Sequence, residues 1–140
     1  MSQENVAVVR SAYDAFRRGN VQMIFHLLHA EIEIYQSEGV PWGGTYKGHQ
    51  EIASFIEKLT ETIESRVEPD QYIEDEAGHV VAVGHTRGRV RATGREFDVP
   101  AVHVWTIREG KAVKFEAYID TAEMRVALGL VTYLTDDEPY

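Results

Sequence analysis

No cysteine occurs among the 140 residues, so disulfides, thiol nucleophiles and cysteine-built zinc sites are excluded. No stretch approaches the roughly 20 consecutive apolar residues that a bilayer span requires. The opening Met1-Ser2-Gln3-Glu4-Asn5 has no basic segment leading into an apolar run. The expectation is a protein that stays in the cytoplasm where it is made. Positive charge is scarce: 14 Lys and Arg stand against 23 Asp and Glu, for a formal net charge of -9. That balance repels nucleic acid and anionic membrane surfaces alike, so neither is expected as a partner. Arg87, Arg89, Arg91 and Arg95 are a local exception, and in an acidic chain they read as a solvated strand face or a subunit contact.

Further absences narrow the chemistry. There is no phosphate-cradling glycine loop and no nucleophile elbow. His26 and His29 stand three apart with Glu31 and Glu33 nearby, but no third ligand follows at a recognised metal spacing. No metal and no cofactor is expected.

What remains is ordinary globular material: 44% hydrophobic and 26% charged residues suffice for one packed core and argue against disorder. The length suits one domain, taken as residues 1–134 followed by an acidic tail, 135–140. Val6, Val9, Tyr13 and Phe16 recur at helical spacing, with Gly19 as the stop, and Asn20 opens a shorter helix through Leu28. Glu31 to Tyr35 then switches to period two, a strand. Gly39 to Gly48 mixes glycine, proline, Trp42 and Tyr46, the composition of an ordered loop. Ile52, Phe55, Ile56, Leu59 and Ile63 draw the apolar stripe of a third helix.

Four strands follow, near Val67 to Asp75, Val80 to Thr93, Phe97 to Ile107 and Ala112 to Ile119, with turns at Gly78, Gly94 and Gly110. Asp120-Thr121-Ala122-Glu123 has the form of a capping box opening a last short helix. Helices first and an antiparallel meander second predict an α+β fold, with a strongly curved sheet wrapped around the N-terminal helices to leave a cone-shaped apolar cavity. Strands near Val80 to Val90 and Ala101 to Ile107 carry apolar or small residues on both faces, which points to a homodimer through the convex sheet face.

Candidate site residues follow from this layout. Val99, Ala101, His103, Trp105 and Ile107 share one strand face, so His103 is either a buried core histidine or a neutral base or donor on the cavity wall. Asp120 is either the helix cap or an acid/base partner at the rim. Tyr13, Phe16, Tyr35, Trp42, Tyr46, Phe55, Trp105 and Tyr118 supply more aromatic surface than one packing layer needs, and form the candidate ligand-binding set.

The opening helix with its Arg-Gly-Asn ending, Tyr46-Lys47-Gly48-His49-Gln50-Glu51-Ile52, Thr93 to Pro100, Val102-His103-Val104-Trp105 and Gly110 to Asp120 together resemble the NTF2-like superfamily. The likeness is to its SnoaL-like and ketosteroid-isomerase-like branch, and it covers nearly the whole chain. It implies a mixed, cone-shaped cystatin-like sheet, frequent homodimers, and members that isomerise, cyclise, hydrate or only bind small hydrophobic molecules. The family's steroid isomerases place a carboxylate base where this chain has Gln36, a tyrosine at Ala12 beside Tyr13, and an aspartate donor at His103. An epoxide-hydrolase Asp-Arg-Asp cluster would fall on Asp120, His85 and Arg87 and is not reproduced. Asp120 matches the acid/base aspartate of SnoaL-like aldol cyclases. The resemblance thus implies a pocket for a cyclic or polyketide-like molecule, with either a cofactor-independent acid/base reaction or binding alone.

Overall fold

A computed structural model describes residues 2–131; the acidic segment 135–140 lies outside the described residues. Helix α1 (Ser2–Arg17) buries Val9, Ala12 and Ala15, one stripe at helical spacing. Helix α2 (Val21–Leu27) starts at Asn20, whose side chain accepts from Met23 N at 3.1 Å, one of the orphan amides of a helix start. Strand β1 (Leu28–Gln36) follows, with Ile32, Ile34 and Gln36 on its buried face.

The segment expected to be an ordered loop contains a short strand, β2 (Gly44–Lys47), paired antiparallel with β1 through Ile34 and Tyr46. Four residues are too few to show a period-two pattern, which is why composition alone suggests a loop. Helix α3 (Gly48–Thr62) carries Ile52, Phe55, Ile56 and Leu59 on its inner stripe. It stops one residue before Ile63, which extends the stripe in sequence but is already extended backbone. Ile63 stays buried because strand β3 (Ile63–Glu74) turns it into the same core.

Strands β4 (His79–Val90), β5 (Glu96–Arg108) and β6 (Lys111–Ile119) complete the sheet, and α4 (Thr121–Ala127) closes the described chain. The strand order is β2-β1-β6-β5-β4-β3; β1 runs parallel to β6, and every other pairing is antiparallel. The sheet is mixed, strongly curved and unclosed, with the helices on its concave side, as the α+β reading expects. Ile32, Ile52, Val80, Val99 and Met124 are fully buried between the two layers.

Two glycines on β4 have a geometric reason. A Cβ on Gly84 would overlap the Glu68 carbonyl oxygen, and one on Gly88 the Glu64 carbonyl oxygen. Strand β3 therefore curls closely over β4 where side chains are missing, and a bulge between Pro69 and Gln71 adds to the bend.

Candidate functional site

The curled sheet and the helices enclose an apolar cavity of about 130 Å³. Strand alternation decides what faces it. Along β5, Phe97, Val99, Ala101, His103 and Trp105 are buried, and His103 and Trp105 reach the cavity wall. From α1, Ala12, Tyr13 and Phe16 form the opposite wall, and Trp42 and Phe55 contribute from the segment before β2 and from α3.

Tyr13 joins the two walls. Its Oη lies 2.7 Å from His103 Nδ1 and accepts from Trp105 Nε1 at 2.9 Å. Having accepted the indole hydrogen, the phenol satisfies its own O–H by donating to Nδ1, so the imidazole proton belongs on Nε2. Phe115 packs edge-on against the His103 ring at 5.0 Å, and Tyr13 meets Trp105 at 85°. Among the described residues no protein group accepts from Nε2, so the cavity is offered a neutral N–H donor.

Electrostatics agree with that assignment. Burial pushes the His103 pKa down to about 4, so the ring is neutral at pH 7. Burial also raises the Tyr13 phenol above its ordinary value, outweighing the lowering hydrogen bond from Trp105. Among the described residues no Asp, Glu, Lys or Arg lines the cavity. Besides the Tyr13, His103 and Trp105 trio, the described lining residues that carry a polar group are Gln36, Trp42, Ser65 and Thr86.

The remaining predicted site residues lie elsewhere. Tyr46 is buried behind the wall, donating to Trp42 O at 3.1 Å and packing on Phe55 at 5.2 Å. Tyr35 and Tyr118 pair at 5.6 Å, and Tyr118, bonded to Glu116 at 2.7 Å, is exposed. Asp120 is exposed and does not line the cavity; its Oδ1 accepts from Glu123 N at 3.0 Å as the N-cap of α4. The cavity also takes Ile24, Leu28 and Met124, apolar positions that in sequence are indistinguishable from plain core, and Gln36, which the resemblance sets at the isomerases' base position but which is outside the candidate ligand-binding set. The parity of β1, which sets Gln36 in line with Ile32 and Ile34, was a usable signal for the last.

The arginines of β4 and the following turn are paired. Arg87 bonds Asp98 at 2.9 Å and also Glu68, while Arg89 and Arg91 reach Glu64 at 3.5 and 3.2 Å. His85 Nδ1 shares Asp98 at 2.7 Å. Among the described residues no group of three or more His, Asp or Glu is arranged to hold a metal.

Comparison with known proteins places this geometry. No curated protein matches the chain. Among solved structures, an NTF2-like protein of unknown function from Burkholderia pseudomallei K96243 is 33% identical, with a TM-score of 0.83 over 89% of this chain and 97% of that one. An NTF2-like protein from Burkholderia xenovorans LB400 is 31% identical, with a TM-score of 0.80 over 90% of this chain and 96% of that one. TerC, co-crystallised with polyporic acid, is 27% identical, with a TM-score of 0.82 over 90% of this chain and 98% of that one. The sequence model of the SnoaL-like domain matches residues 9–115, from the middle of α1 to the cavity-lining Phe115. With that match spanning most of the chain, and relatives above 30% identity along nearly its full length, the protein belongs to the SnoaL-like domain family of NTF2-like proteins.

Proposed function

We propose that this protein binds a compact hydrophobic ring compound in the cavity, with His103 Nε2–H as the donor to an oxygen acceptor on that compound. The observation that carries this reading is a cavity of about 130 Å³ with apolar walls and one unpartnered imidazole N–H whose other nitrogen is held by Tyr13. An apolar cavity of about 150 Å³ takes up benzene, so the space suits one ring and is too small for a steroid without rearrangement. The co-crystallisation of TerC with polyporic acid supports a small-molecule role.

Acid/base catalysis of the isomerase, cyclase or hydratase kind is the second reading. Its support is the Tyr13–His103 pair, which would stabilise negative charge developing on a substrate oxygen. Against it, among the described residues no carboxylate lines the cavity to take a proton from carbon, and Asp120 is engaged as a cap. Binding is therefore the better-supported function. The protein would work in the cytoplasm without metal or cofactor, as a homodimer paired through the convex face of the sheet. Among the described residues no helix is long and apolar enough to cross a membrane.

A thermal-shift screen with single-ring ketones tests the binding reading, because a ligand of the native state raises stability by RT ln(1 + [L]/Kd). Several ketones should raise the melting temperature of the native chain and shift His103→Phe less. No shift from any of them rejects the reading.

A further inference from the structure

We infer that Gln36 is a second ligand-recognition residue, facing His103 across Ala117, so that the cavity takes a ring with oxygen functions on two opposite edges. The inference rests on the binding reading above and adds a residue that chemistry at carbon would not use, since an amide cannot take up a proton near neutrality.

Gln36 is only 6% exposed and lines the cavity, yet among the described residues its side-chain amide makes no hydrogen bond. An amide taken out of water without a partner is costly, and buried polar side chains in native proteins are nearly always satisfied. The neighbours of Gln36 do not explain it. Ser37 beside it bonds the Ala117 carbonyl, and Tyr46 across the β1–β2 pair bonds Trp42. An amide that reaches a cavity wall and has no protein partner there is poised for something that enters the cavity.

Strand register says what lies between the two polar groups. Gln36 of β1 is the partner of Ala117 of β6, and Ala117 is the partner of His103 of β5. The three form one row across adjacent strands, all buried and all lining the cavity. Two strand spacings separate the outer backbones by about 9–10 Å. On the concave side of a curved sheet the side chains of such a row converge. Between them Ala117 offers only a methyl group, which leaves a shallow apolar floor for a ring to lie on.

The two ends differ chemically. His103 presents one N–H and asks for an acceptor, best a carbonyl oxygen. Gln36 offers two N–H donors and a carbonyl acceptor, and so matches a hydroxyl as well as a second carbonyl. A hydroxy-ketone on a six-membered ring satisfies both; a hydrocarbon ring satisfies neither. With no charged side chain at the wall among the described residues, a neutral molecule is preferred over a carboxylate or an amine.

The test uses three rings of nearly equal size: cyclohexane, cyclohexanone and 4-hydroxycyclohexanone. Binding is followed by tryptophan fluorescence, because both tryptophans of the chain, Trp42 and Trp105, line the cavity. In the native protein 4-hydroxycyclohexanone should bind about tenfold tighter than cyclohexanone. Gln36→Leu should erase that tenfold difference between the two ketones. Gln36→Met serves as a second variant of similar length and should behave alike. Equal binding of the two ketones by the native protein overturns the assignment of Gln36 and leaves the binding reading intact. A fall in melting temperature for both variants with the tenfold preference retained likewise overturns it, by showing that the amide is structural. Failure of both ketones to bind overturns the binding reading and this inference together.

Discussion

Tyr13 Oη lies 2.7 Å from His103 Nδ1, a bond between the first helix and the fifth strand across 90 positions of chain. It fixes the tautomer of the imidazole and, through Trp105 Nε1 at 2.9 Å, ties three aromatic rings into one unit. Tyr13→Phe keeps the ring but strands two buried polar atoms, each worth about 1–3 kcal/mol. Urea unfolding of that variant should show a loss on the order of 2 kcal/mol or more. A loss of only a few tenths would mean that the bond contributes little to holding the wall.

Protonation of His103 should appear in the acid limb of stability. Its folded pKa of about 4 lies below the value of about 6.5 for an exposed histidine. At pH 7 the ring is neutral in both states. As the pH falls from about 6.5 toward 4, the unfolded chain takes up the proton first, so stability declines over that window, by about 3 kcal/mol at most. The carboxylates of Asp98, lowered chiefly by Arg87, and of Asp75, lowered chiefly by the His79 backbone N–H, act the same way but at more acid pH. Denaturation measured between pH 7 and 4.5 should show a steeper fall for the native chain than for His103→Gln, and identical slopes would refute the burial argument.

Much of this arrangement was legible beforehand because it depends on periodicity. Val9 and Tyr13 on a helix, the alternation from Val99 to Trp105 and the stripe from Ile52 to Leu59 are local patterns that tertiary packing preserves; the expected alternation stops short of Ile107, because the β5–β6 register shifts between Thr106 and Ile107 and both are buried. Strand β2 was not legible, since Gly44 to Lys47 takes its structure from a partner on β1. The Tyr13–His103 bond was equally hidden, because contact between residues so far apart in sequence depends on how the whole sheet curves. The aromatic composition marked a ring-lined space, yet Tyr35, Tyr46 and Tyr118 share that composition and stand outside the lining.

Asp120 offers a clean separation of roles. Asparagine caps helices about as well as aspartate, whereas alanine forfeits about 1 kcal/mol. Asp120→Asn should therefore leave stability nearly unchanged and Asp120→Ala should lower it, with both variants retaining ketone binding. Loss of binding or of any turnover in Asp120→Asn would instead assign the carboxylate a chemical task.

Association is a third measurable property. On the convex face Val81, Val83, Val102 and Val104 stand side by side in the β4–β5 ladder, and Ile73 and Tyr118 beside them are exposed. Light scattering at micromolar concentration should give twice the 15.9 kDa of one chain. Val102→Glu, which places a charge in the middle of that patch, should give the single mass. A native chain that scatters as a monomer would rule the dimer out.

Gly84 and Gly88 neither line the cavity nor touch His103, yet β3 can approach β4 only because these positions lack a Cβ. Ser65 and Val67 of β3 reach the cavity rim through that approach. Gly84→Ala should push β3 outward, loosen the rim and weaken ring binding without altering any lining side chain, and ketone titration would show it. The outline of the cavity is thus written in the path of the main chain, while its chemical taste is written in residues such as Gln36 and His103. Because separate positions govern the two, exchanging the polar residues should retune which molecule is accepted without redrawing the space that accepts it.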